Sequence, residues 1–343
     1  MKVLFHNIYD EINQNNNLFE KENVAIGDNL LKPFNLLAAE ALKHDITVGT
    51  YAKIALEDAD FFVFIDYPKK DDRVFKYAAE HNKKMFLISY ESPIVSKAAL
   101  KTEQHRQFLK VFTWSDALVA SDPEKYVKLN YLHDIKVNFE VANKRHKNFI
   151  IIAGNKINSA PNELYSFRYK CIKWFEKYHP KALDLYGFGW NLKTFDDNLC
   201  IGKLLNHYNA KYRLLKNKLS IYKGSVARKS DILKDYNFSI CFENVYGHEG
   251  YITEKIFDCL LAGTIPIYKG APNINNYIPQ NCFLQFDDFA NINAMYHELT
   301  QMSEEHIKTY RENIREFLLS SKTEPFKATY LADILISNIL KYQ

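Results

Sequence analysis

Phe238-Ser-Ile-Cys-Phe242 is a short, almost wholly apolar run that passes through Glu243-Asn-Val-Tyr-Gly-His-Glu-Gly-Tyr-Ile-Thr253 into Glu254-Lys-Ile-Phe-Asp-Cys-Leu-Leu261. The first run reads as a strand ending in a polar, glycine-containing loop. In the last segment Ile256, Phe257, Leu260 and Leu261 recur at helical spacing, with Thr253 placed as a cap and Gly263 just past the end. Thr264-Ile-Pro-Ile-Tyr268 supplies a second apolar strand. Strand, helix and strand in this order make a parallel crossover unit.

Outward from this unit the same alternation recurs. Upstream of it come a strand at Asn148–Ala153, a helix over about Glu163–Tyr178 after Pro161, and a strand at Leu183–Tyr186. Downstream, helices are expected after Ile292 and Glu304. The first half repeats the theme with strands at Val3–His6, Phe61–Ile65, Met85–Tyr90 and Val111–Thr113. Between them, helical patterns follow Pro33 (Asn35–Leu42), span Asp72–His81 and lie around Glu103–Leu109. Continuous apolar strands separated by helices argue for parallel sheets covered on both faces. The expected fold is α/β, with two Rossmann-like doubly wound domains facing each other across a cleft. The polar, basic stretch from Lys136 to Asn148 is the expected crossing. Residues 1–140 then form one domain, 147–325 the second, and 326–343 a terminal helix docking on the body. Residues 191–225 are rich in Lys and Asn with weak periodicity, and read as a loop with a short helix.

The bulk figures agree with two domains. A chain of 343 residues with 47 % apolar content can fill two cores. Net charge is only +4, but 141–235 carries 19 Lys or Arg against 7 Asp or Glu. Such a stretch attracts an anion, whether a nucleotide diphosphate, nucleic acid or a membrane face, or is simply a solvated basic surface. No nucleic-acid-binding motif accompanies it, and nucleic acid is not expected as a partner. The five cysteines show no C-x-x-C spacing, which gives neither a disulfide framework nor a zinc site. No long apolar run opens the chain. A cytoplasmic protein is expected, with at most peripheral membrane contact.

Ligands of doubly wound sheets bind outside the carboxyl ends of the strands. The helix starting at Glu254 offers free N–H groups and positive dipole there, a ready anion site. Lys255 in its first turn opposes that dipole, a placement that a bound diphosphate would explain. Asp196-Asp197 and Asp287-Asp288 are adjacent pairs rather than an Asp-x-Asp metal motif, and no metal is expected.

Three blocks carry a resemblance. Phe238-Ser-Ile-Cys-Phe-Glu-Asn244, Gly250-Tyr-Ile-Thr-Glu-Lys255 and Ala262-Gly-Thr-Ile-Pro-Ile-Tyr-Lys-Gly270 closely resemble the signature of the bacterial α1,3/4-fucosyltransferases. Asn276-Tyr-Ile-Pro-Gln-Asn-Cys-Phe and Phe286-Asp-Asp-Phe289 continue the match over some fifty residues. Tyr90-Glu-Ser-Pro93 resembles that family's E-S-P at a first-domain strand end. Gly154-Asn155 and Asn162-Glu-Leu-Tyr-Ser-Phe-Arg168 resemble its second-domain strand end and the following helix. The first ~80 residues match nothing in it.

The resemblance implies an inverting, GDP-fucose-dependent enzyme of the GT-B type that needs no cofactor beyond its donor substrate. By the same resemblance, Arg168 and Lys255 hold the GDP phosphates, and Glu254 accepts hydrogen bonds from donor hydroxyls. Asn155, Asn244 and Tyr251 line the donor pocket, and Glu91 is the general base. The expected partners are GDP-fucose and an oligosaccharide acceptor of GlcNAc or N-acetyllactosamine type on a surface glycan. Plain alternatives stand beside these roles: Glu91 solvating a strand end, Arg168 pairing with Glu163 or Glu176, and Tyr251 as core. Rival functions are transfer from another nucleotide sugar and non-catalytic nucleotide-sugar binding.

Overall fold

A computed structural model describes every residue except 22–29, 143, 196–199 and 213–214, and the backbone alone at 200, 203 and 210–212. The chain divides into two compact units. The first comprises 1–135, 249–251 and 323–343, and the second 136–248 and 252–322.

The first unit is built on a parallel sheet of six strands: β1 (Lys2–Asn7), β2 (Thr47–Gly49), β3 (Phe61–Ile65), β4 (Lys84–Ser89), β5 (Lys110–Thr113) and β6 (Tyr126–Lys128). They lie in the order β2-β1-β3-β4-β5-β6, so the strand order reverses between β1 and β3. Alternation along each strand feeds two cores. Val3, Phe5, Phe61, Val63 and Ile65 enter one, while Leu4, Phe62 and Phe64 enter the other. The first core is closed by helix Lys32–Leu42, with Pro33 in its first turn, and by helix Tyr330–Leu340. Leu331, Leu335, Ile336 and Ile339 of the latter are buried there. Opposite Phe62 and Phe64 runs helix Arg73–Glu80, whose cap Asp72 accepts from the N–H groups of Val74 and Phe75 at 3.0 Å.

Six more parallel strands carry the second unit: β7 (Lys147–Ile152), β8 (Leu183–Tyr186), β9 (Tyr222–Gly224), β10 (Tyr236–Phe242), β11 (Ile265–Lys269) and β12 (Leu284–Gln285). Their order, β12-β11-β10-β7-β8-β9, places the reversal between β7 and β10. All seven residues of β10 are buried, and Phe149 of β7 stacks on Phe238 at 5.5 Å. Helix Tyr165–Tyr178 follows β7, and helix Glu254–Leu261 links β10 to β11.

Two local expectations change. The helix read around Glu103–Leu109 is a single turn, Thr102–His105. The chain leaves it to bury Phe108, and the turn is held by the His105 ring, which bonds the Ala98 carbonyl at 3.0 Å and the Tyr126 hydroxyl at 3.2 Å. In 191–225 the helix is long rather than short, Cys200–Tyr212. The pair Asp196-Asp197 lies outside the described residues.

Candidate active site

The second unit brings its chemistry together where its strand order reverses. At the end of β10 the chain delivers Glu243, whose side chain is fully buried. A buried carboxylate must be paired and hydrogen-bonded. Glu243 accepts from the Thr253 N–H at 2.8 Å and the Thr253 hydroxyl at 2.7 Å, and meets the Lys255 ammonium at 3.3 Å. Gly270 leaves it room, because a Cβ there would stand 2.5 Å from the Glu243 Cγ. Thr253 in turn caps helix Glu254–Leu261, its Oγ1 accepting from the Lys255 N–H at 3.4 Å and from the Lys255 ammonium at 3.1 Å.

This answers the oddity of Lys255. Burial works against its charge, but the carboxylates of Glu254 (3.7 Å) and Glu243 outweigh burial and raise its pKa. The ammonium is thus fixed as a cation at the helix N-terminus, where the backbone N–H groups already favour an anion. Arg168, on the helix after β7, points its guanidinium to the same junction. Its Nη2 donates to the carbonyls of Phe242 at 2.6 Å and Glu243 at 3.1 Å. Burial pushes its pKa below the ordinary arginine value. Neither Glu163 nor Glu176 takes it: the first accepts from the Ser166 N–H, the second from Ser220 and Ile221.

Arg168, Lys255, Lys229 and Asp258 line one small depression beside β10, with Ser239 and Cys241 on its wall. Lys229 bonds Asp258 at 2.7 Å and lies 3.8 Å from Glu254. Three cations, each held by carboxylate or carbonyl, at a strand-to-helix junction form a preorganised anion receptor.

The remaining predicted residues fall elsewhere. Asn155 ties the loop after β7 to the loop after β8, its amide donating to the carbonyls of Gly189 and Leu192 at 3.1 Å. The Asn244 carbonyl accepts from the Leu164 N–H at 3.0 Å. Tyr251 belongs to the first unit and is 1 % exposed, with Trp114 at 4.9 Å and Tyr131 at 6.3 Å. Among the described residues no group of three or more His, Cys, Asp or Glu side chains converges to hold a metal ion.

In the first unit Glu91 lies two residues past the end of β4. The Tyr9 hydroxyl donates to its Oε1 at 3.3 Å, and burial followed by the Glu91 charge raises the Tyr9 pKa to about 12. Its backbone N–H donates to Asp66 Oδ1 at 2.8 Å. Asp66, just beyond β3, is 6 % exposed and takes a left-handed φ of 61°. Sequence reasoning named neither Asp66 nor Lys229, and quoted Glu243 only as a letter of a motif. The available signal for Glu243 and Asp66 was a carboxylate placed directly after an unbroken apolar run, where burial is forced on it.

Two doubly wound parallel sheets, one carrying an anion receptor where its strand order reverses, are the sheets of a GT-B fold. Residues 168–315 match the family model for glycosyltransferase family 10 (fucosyltransferase), C-term. An alpha-(1,3)-fucosyltransferase of Helicobacter pylori, FucT, is 42 % identical over 67 residues, covering 20 % of this chain and 14 % of the relative. Human alpha-(1,3)-fucosyltransferase 7 is 33 % identical over 99 residues, 27 % of this chain and 29 % of the relative. The aligned stretches thus span less than a third of these curated relatives. Over the whole fold, a crystal structure of alpha1,3-fucosyltransferase superposes with a TM-score of 0.56 at 16 % identity, covering 99 % of this chain and 90 % of that one. Anabaena Alr3699/HepE in complex with UDP-glucose gives 0.54 at 11 % identity, over 99 % of this chain and 100 % of that one.

Proposed function

We propose that the chain is an inverting fucosyltransferase. It moves L-fucose from GDP-β-L-fucose to a hydroxyl of a GlcNAc- or N-acetyllactosamine-like unit of a surface glycan, giving an α1,3 (or α1,3/4) linkage. The observation that carries this reading is the Glu243–Thr253–Lys255 junction facing Arg168, all but Glu91 of the proposed chemistry lying within or beside the family-matched residues. The second unit takes the donor and the first takes the acceptor. Arg168 and Lys255 hold the diphosphate and offset the charge that builds as GDP leaves. Arg does so with a planar fork, and Lys as a point charge. Glu254 accepts from donor hydroxyls, with Asn155 and Asn244 shaping the pocket. Glu91 takes the proton of the attacking acceptor hydroxyl, the oxygen bonds to the anomeric carbon from the face opposite GDP, and the configuration inverts. No metal or further cofactor takes part.

The chain works in a reducing, cytoplasmic setting, peripheral to a membrane at most. The buried thiols of Cys171, Cys241, Cys259 and Cys282 are all free, and no helix among the described residues is long and apolar enough to cross a membrane.

The test is GDP release with GDP-fucose and N-acetyllactosamine in the presence of EDTA, for wild type, Glu91→Gln and Lys255→Ala. Acceptor-dependent release that falls at least about 100-fold in both variants is expected, a loss typical of removing a base or an electrostatic stabiliser. Donor binding without turnover, with Glu91→Gln altering nothing, would favour a non-catalytic nucleotide-sugar binder, whereas turnover that Glu91→Gln leaves untouched would point to a different base. Binding of UDP-sugars in preference to GDP-fucose would move the donor assignment to another nucleotide sugar.

A further inference from the structure

We propose that Asp66 is the positioning residue for Glu91: one carboxylate oxygen takes the N–H groups of both Tyr90 and Glu91 and sets the direction in which the Glu91 side chain leaves β4. The inference rests on the reading of Glu91 as the base.

The geometry begins with the strand register. Ile65, the last residue of β3, stands opposite Ile88 of β4, so Asp66 is one step past the paired strand. Its own N–H still donates to the Ile88 carbonyl at 2.7 Å, which keeps its Cα in the ladder. At that point φ turns to 61°, a conformation that Asp, Asn and Gly accept more readily than other residues. The turn folds the side chain across the end of β4. There Oδ1 accepts from the Tyr90 N–H and the Glu91 N–H, both at 2.8 Å. Two backbone donors past the end of a strand need partners, and one side-chain atom supplies both.

Glu91 is thereby held from two sides. Asp66 fixes its backbone, and the Tyr9 hydroxyl, from the loop after β1, holds its carboxylate. Both contacts lie beside the carboxyl ends of β1 and β3, where the strand order reverses and ligands of such sheets bind. The cost of a buried carboxylate within the field of Glu91 is explained if the direction of that side chain matters. The titratable groups that face Asp66 are Glu91, Tyr90 and Tyr9.

The experiment compares wild type, Asp66→Asn, Asp66→Gly and Glu91→Gln. Gly accepts the positive φ but offers no acceptor oxygen; Asn keeps the oxygen and removes the charge. GDP-fucose affinity, kcat and the pH–rate profile are measured for each. Asp66→Gly should lose about 100-fold in kcat, the scale of a misplaced catalytic group, while GDP-fucose affinity stays within about twofold. Asp66→Asn should recover to within about tenfold of wild type. The inflection near neutral pH that ionisation of Asp66 gives the wild-type profile should be missing from that of Asp66→Asn. Asp66→Gly at wild-type kcat, or Asp66→Asn no better than Asp66→Gly, would overturn the proposal. If Asp66→Gly does not fold, Asp66→Asn decides alone: a profile that keeps the neutral inflection would overturn it. Full turnover in Glu91→Gln would instead remove the base assignment and this inference with it. A dead Glu91→Gln beside a fully active Asp66→Gly removes this inference only.

Discussion

At Asp66, burial and the neighbouring Glu91 charge push the carboxyl pKa up to about 7. In the unfolded chain an aspartate titrates near 3.9. Between those values the folded protein holds a proton that the unfolded chain has lost. The stability linked to this group is therefore complete below about pH 4 and disappears as pH rises towards 7, at about 1.4 kcal/mol per pH unit. Asp66→Asn has no such proton, so its stability relative to wild type should grow between pH 5 and pH 8, read from urea denaturation at each pH. A constant difference would mean that Asp66 is charged throughout. Single residues were unequally legible. Lys255 announced itself by opposing its own helix, and the structure shows why it stands there: Glu243 and Glu254 flank it. Arg168 looked like any helix cation, because the carbonyls it grips belong to a strand 74 residues away. Tyr251 carried a motif letter, but its ring is packed against Trp114. The left-handed turn of Asp66 has no sequence mark, since Asp is common in loops for many reasons.

Helix Glu254–Leu261 is the element on which the proposed donor site depends, and its start is overdetermined. Thr253 gives its oxygen to the Lys255 N–H and its hydroxyl proton to buried Glu243. Thr253→Ala loses the cap, worth ~1 kcal/mol, and strips one partner from a carboxylate that cannot reach water. The expected loss of about 2–3 kcal/mol should lower Tm by some 4–12 °C, at roughly 2–4 °C per kcal/mol for a unit of this size. GDP affinity should weaken with it. Calorimetric melting with and without GDP measures both, and an unchanged Tm would show that Glu243 finds its partners elsewhere. The far end is fixed by Gly263, at φ 64° and with no space for a Cβ beside Phe139. Elements of this kind, with clear periodicity and caps, were read to within a residue or two. Three-residue strands such as β2, β6 and β9 were not read at all, because three positions cannot display an alternation and their identity comes from the neighbour they pair with.

The whole molecule is less modular than its sequence reads. The expectation of two contiguous domains followed by a helix came from the αβ alternation, which carries no information about which core a late helix will join. Residues 323–343 return to the first unit, and Leu331, Leu335, Ile336 and Ile339 of helix Tyr330–Leu340 are at most 6 % exposed there. Burying four such side chains contributes about 6–12 kcal/mol, comparable to the ~5–15 kcal/mol that holds a whole protein together. A chain cut after Lys322 should therefore expose the first unit to limited proteolysis and to dye binding, while the second unit keeps its protease resistance. Equal resistance of both units would contradict that assignment. The same return has a consequence during synthesis. Residues 330–340 leave the ribosome only after the entire second unit has been made, which at ~5–20 residues per second takes roughly ten to forty seconds from the end of the first stretch. Throughout that interval a sheet lined by Val3, Phe5, Phe61 and Val63 has only helix Lys32–Leu42 of the two helices that close its core. The later unit can thus be complete while the earlier one still waits for its last helix.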